Sequence, residues 1–89
     1  MEYDKDKVDD ATLALMHLVA FKFDKKLPGS SAWKSFDWET LDRLHEKGLI
    51  SDPKNKNKSV HLSDEAFEKS EQLFNKMFGE ENHPGEQKN

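Results

Sequence analysis

The segment "PKNKNK", residues 53–58, sets three lysines two apart with asparagines between them. Lys54, Lys56 and Lys58 form a cationic comb suited to phosphate neutralisation along a nucleic-acid backbone, where each contact releases condensed counterions. The same comb also suits a hairpin tip that charge keeps soluble and guards against edge-to-edge strand pairing. Arg43 is the further candidate cation, carried by the segment 38–47 that a recognition helix would occupy. Base reading needs outward Arg, Lys, Asn or Gln. Here Glu39, Asp42 and Glu46 accompany Arg43 and Lys47 on the outer side. Three carboxylates against two cations repel a phosphate backbone, so DNA remains a partner that the acidic helix 38–47 disfavours.

Other chemistry has less to build on. The histidines stand at 17, 45, 61 and 83, and their spacing matches no metal motif such as HExxH. His45 and His61 with Asp42 or Asp52 would make a metal group only if the fold gathered them, and no metal site is expected. There is no cysteine, which removes disulfides, thiolate catalysis and cysteine-based zinc sites. No serine lies in a nucleophile elbow, and "LPGSS" has too few glycines to cradle a phosphate. No cofactor and no enzymatic activity are expected. Trp33 and Trp38 flank Phe36. Trp38 is assigned to the core, whereas Trp33, beside Lys34 and serines, fits either the core or an exposed binding surface.

The positioning elements follow from periodicity. Residues 6–23 read as a helix, with Asp4 or Asp6 as cap and Asp9 and Asp10 near its positive end. Val8, Ala11, Leu15, Met16, Val19 and Phe23 fall on one apolar face, assigned to the core. Leu13, Ala14, Ala20 and Phe21 surround His17 on the other. A helix apolar on both sides is buried on both sides. In a domain this small, the second side is expected to meet a second copy. Leu13, His17, Ala20, Phe21 and Trp33 are therefore the expected interface of a homodimer.

Pro28 and Gly29 interrupt the chain, and Ala32 to Phe36 fit either a single turn or a short strand. Asp37 caps a helix over 38–47 that Gly48 closes. "LISDP" and the alternating "SVHL" read as two strands of a hairpin around the lysine turn. Ser63 caps the last helix, with Ala66, Phe67, Ser70, Leu73, Phe74, Met77 and Phe78 inward and Gly79 at its end. Residues 80–89 carry nothing apolar and are expected to be disordered.

The chain has 89 residues, 36% of them charged, with 18 acids against 14 bases and a formal net charge of −4. That length holds a single domain, over residues 1–79, and leaves stability marginal. The longest apolar run, "ATLALMHLVAF", is far short of the roughly 20 residues a membrane span needs. The acidic start "MEYDKDKVDD" is unlike a signal peptide. A cytoplasmic setting without membrane contact is expected.

The order helix, turn, helix, hairpin, helix gives an α+β fold class. "LDRLHEKGLI", a charged turn and "SVHLSDEA" resemble the end of many bacterial winged-helix domains, and that resemblance implies a winged-helix-like architecture. More narrowly, "AWKSFDW", "LHEKGLISDP" and "KSVHLSDEAFEKSEQLFNKMF" resemble a family of small uncharacterised bacterial proteins, over roughly residues 8 to 78. That resemblance implies the fold and no activity. The resulting expectation is a non-catalytic, regulatory interaction module acting as a homodimer, with a DNA-binding regulator as the alternative.

Overall fold

The computed structural model describes residues 1–22 and 24–80. The elements run α1 (Lys5–Val19), β1 (Ser30–Trp33), α2 (Trp38–Glu46), β2 (Ser59–Leu62) and α3 (Asp64–Phe78). The class is α+β, with three helices and a two-stranded antiparallel sheet among the described residues. No helix of these residues is long and apolar enough to cross a membrane. The expected helix position Phe23 and nearly all of the expected tail lie outside the described residues.

Each helix starts where a side chain can accept an orphan backbone N–H. Asp4 accepts from Lys7, Asp37 from Thr40 and Ser63 from Ala66, each at 3.1 Å. Helix α1 ends at Val19, earlier than its apolar pattern suggests, because Phe21 exchanges both backbone hydrogen bonds with Ser31. A bridge at Phe21 cannot coexist with another helical turn.

The strand partner differs from the expected hairpin. β2 pairs with β1, Ser30 opposite Leu62 and Trp33 opposite Ser59, and residues 49–53 are not a strand. Ser51 explains why. Its N–H reaches the His61 carbonyl at 2.9 Å, but its own hydroxyl takes the His61 N–H that a ladder would need. Ile50 and Pro53 are then free to turn inward, and both are buried.

The inner sheet face is Ala32, Val60 and Leu62, packed with Leu13, Met16, Leu41, Leu44, Ile50 and Ala66 into one cluster, against which Phe36, Leu49 and Leu73 rest. Three core assignments are corrected. Leu15 and Val19 are exposed, whereas Leu13 is fully buried. Trp38 is 56% exposed, since the first position of α2 lies outside the packed turn. Met77 and Phe78 are exposed too, as α3 runs past the core at its end.

Gly29 and Gly48 both have left-handed backbone, φ +81° and +77°, but only Gly29 is also enclosed. A Cβ there would strike the Leu62 carbonyl oxygen and the His61 ring, while at Gly48 it meets open space. The Gly29 N–H also donates to Asp64 Oδ1 at 2.7 Å, fastening this turn to the start of α3. Gly48→Ala should cost about 1 kcal/mol, and Gly29→Ala about 2–4 kcal/mol. Urea denaturation of the two variants measures the difference, and equal losses would refute the steric argument.

Candidate functional site

Arg43 does not face outward with the lysines. Its Nε donates to Asp9 Oδ1 at 2.8 Å and Oδ2 at 3.1 Å, and its Nη2 lies 2.8 Å from Oδ1. Lys47 Nζ reaches Asp9 Oδ2 at 2.9 Å and Asp6 at 3.0 Å. A relay continues from Arg43 to the Thr40 hydroxyl and on to Asp37, the cap of α2. Asp9 is 1% exposed. Burial by itself would raise its carboxyl, but hydrogen bonds from Arg43 and then Lys47 outweigh it, and Asp9 is held below the usual carboxylate range. The same hydrogen bonds raise Arg43 and Lys47. This cluster clamps α1 to α2 and takes Arg43 out of the nucleic-acid candidates that remain unpaired.

Lys54, Lys56 and Lys58 do share one exposed loop. Side chains shape it: Asp52 accepts from the Lys54 N–H, and Asn55 from the Asn57 N–H. Lys34 braces it from β1's end through Asn55, at 2.9 Å to Oδ1. Lys54 lies 3.9 Å from Asp42. The side chains of Lys56 and Lys58 make no hydrogen bond or ion pair among the described residues, though the Lys58 carbonyl accepts from the Lys34 N–H at 3.0 Å.

The five expected interface residues do not form one surface. Leu13 is core. His17 packs against its own chain, with ring centroids 4.9 Å from Phe67 and 5.6 Å from Phe74. Its Nδ1 is buried with no hydrogen-bond partner among the described residues. Ala20 and Phe21 are half-buried. Phe21 stacks on Trp33 at 4.8 Å, and Trp33 remains 48% exposed.

The outward face of α1 is instead Val8, Ala11, Leu15, Leu18 and Val19, residues three or four apart that share one side of a helix. Leu18 is 63% exposed. No charged or polar side chain interrupts this stripe. The polar residues of the same stretch, Asp9, Asp10, Thr12 and His17, are buried or half-buried on the other sides. Unlike an ordinary surface helix, α1 is apolar on its outer side as well as on its inner side, where Leu13, Ala14 and Met16 are buried beside Asp9 and Thr12. Sequence reasoning found the two-sided apolarity and misassigned the sides. The signal that separates them is Asp9 with Thr12, Leu13 and Met16 at helical spacing, a polar pair placed among core residues.

The sheet's outer face carries Ser31, Trp33, Ser59 and His61. Together with Ser51, Asn57, Lys58 and Val60 these line an open cleft of about 390 Å³. His45 is elsewhere, its Nδ1 3.1 Å from the Ile50 carbonyl. Among the described residues, no three His, Asp or Glu side chains gather as metal ligands.

Asp9→Asn should destabilise the fold by about 2–4 kcal/mol, since it leaves two cations short of their counter-charge. The carboxyl is lowered on folding, so the unfolded chain binds the extra proton. Asp9's contribution is full above its unfolded value near 3.8 and fades as pH falls through the lower folded value. Chemical denaturation across acid pH should show a steeper loss for the native chain than for Asp9→Asn. Parallel curves would show that the clamp does not act through ionised Asp9.

No solved structure matches the chain. It is similar to the "Uncharacterized protein y4hR" of Sinorhizobium fredii (strain NBRC 101917 / NGR234), 53% identical over 78 residues, which cover 88% of this chain and 97% of that protein. A family model matches residues 4–80. On that match, which takes in every helix and strand described above, the chain belongs to the DUF6429 family, a domain of unknown function.

Proposed function

We propose that this chain is a non-catalytic, winged-helix-like interaction module that pairs with a second copy of itself through the outward face of α1. The apolar stripe Val8–Ala11–Leu15–Leu18–Val19 carries the reading. Three of its side chains, Leu15, Leu18 and Val19, are exposed, and a twofold contact doubles that number. Burying an aliphatic side chain from full exposure is worth about 1.5–3 kcal/mol. Association costs of similar total size point to roughly micromolar rather than nanomolar pairing.

A twofold axis lets the same stripe on each copy cover the other, the self-complementary contact most homodimers use. The winged-helix-like element order, with a lysine loop projecting beside β2, supports a regulatory role for such a pair. The loop's lysines also keep DNA as a weaker reading, since Arg43 is already bound to Asp9.

Sedimentation equilibrium from micromolar to near-millimolar concentration should show a monomer–dimer equilibrium. Leu18→Glu should abolish it without lowering thermal stability, because Leu18 makes little use of its own core. A strict monomer at the highest concentration would overturn the proposal. DNA duplexes at low salt should produce no mobility shift. A shift lost when Lys54, Lys56 and Lys58 are all changed to Glu would promote the weaker reading.

A further inference from the structure

The outer face of the sheet is a second surface, independent of pairing through α1. Its four outward residues alternate in size across the ladder. Trp33 stands opposite Ser59, and Ser31 opposite His61. The two rings are thus diagonal neighbours, with about 7–8 Å between such positions on a sheet, and the serines leave a hollow between them. The 51–58 loop closes one side, adding Ser51, Asn57 and Lys58. A face merely exposed to water has no need of a tryptophan. A face covered by another apolar layer would not carry two serines among its four residues.

Among the described residues lining the cleft, Lys58 is the charged one, beside hydroxyl, amide and imidazole groups, and none is a carboxylate, although the chain has 18 acids. The Lys58 amino group and the Ser31 and Ser59 hydroxyls make no side-chain hydrogen bond or ion pair among the described residues. The His61 ring lies against Gly29, and its backbone N–H donates to the Ser51 hydroxyl at 2.9 Å. Trp33 is held from behind by Phe21. A cation and several donors therefore surround a hollow with one aromatic wall, and its volume lies within the range of small-molecule sites.

We propose that this cleft binds a phosphorylated flat ring of mononucleotide size. The ring lies on Trp33, and the phosphate is met by Lys58, His61 and the serine hydroxyls. Stacking on an exposed aromatic is tolerant of base identity and contributes about 1–3 kcal/mol per base. A phosphate adds charge-assisted hydrogen bonds to lysine. The same chemistry has two sources, a free nucleotide or one residue of a single strand.

Titration calorimetry and amide chemical-shift mapping on the full chain test this with adenosine 5′-monophosphate as the probe. Binding is expected at millimolar or lower concentration, with shifts centred on Trp33, Ser59 and His61. Adenosine and ribose 5-phosphate should each bind at least about tenfold more weakly, since each lacks one of the two contacts. Lys58→Glu should weaken the nucleotide at least about tenfold while leaving adenosine unchanged. Trp33→Leu should reduce the nucleotide to the level of ribose 5-phosphate. No shift at millimolar nucleotide, or unaltered binding by Lys58→Glu, would overturn the assignment. Oligodeoxyadenylate binding tighter than the monophosphate, with a salt slope above that of one phosphate, assigns the source to a strand. Equal affinity assigns it to the free nucleotide.

Discussion

A carboxylate without access to water needs cations, and on α1 that requirement falls on Asp9. The helix around it is apolar on nearly every side, so hydrophobic burial alone does not choose its rotation. Turning it by half a turn would exchange Leu13 and Met16 for Leu15, Leu18 and Val19, a trade of similar apolar area. It would also separate Asp9 from Arg43 and Lys47. Leaving Asp9 buried without its cations would cost about 3–5 kcal/mol, so the rotation that buries Asp9 is also the one that brings it to Arg43 and Lys47. The ionic clamp thus goes with the rotation that makes Leu13 and Met16 core and leaves Leu15, Leu18 and Val19 outside. One interaction joins α1 to α2, engages Arg43 and accompanies the outward apolar stripe.

This also explains what could be read in advance. The two later helices are one-sided, so Leu41 with Leu44 and Ala66 with Ser70 identify their inner faces, and Asp37 and Ser63 cap them as their types suggest. Alternation in "SVHL" revealed β2 and which of its residues point inward. Its partner was hidden, because "SSAW" has no alternation and lies across a whole helix, while "LISDP" is close and looks more strand-like. A serine hydroxyl replacing one backbone acceptor is a local event that no periodicity reports. For α1, periodicity gave two acceptable faces, and the decisive residue was classed as a helix-end acid favoured by the dipole. Its partners sit 34 and 38 positions away, in a helix whose charges read as solvent-facing.

The sites follow the same division. The lysine loop was visible because it is contiguous, and Lys58 keeps its free amino group. The cleft was not visible, because its residues come from β1, β2 and the loop, and become neighbours only through the unexpected β1–β2 register. Trp33 alone signalled it, as an aromatic among serines with no place in an apolar pattern.

The core and the outward stripe of α1 compete for the same scarce material. About a third of the residues are hydrophobic, and a domain of this size buries only about 60% of its unfolded surface even when all of them turn inward. Leu15, Leu18 and Val19 lie outside, apolar area that a lone chain does not bury, and Asp9 lies within only because Arg43 and Lys47 stand beside it. Under the proposed pairing through α1, the outer side of the helix would be a second interior, which would account for the aliphatic residues it leaves outside.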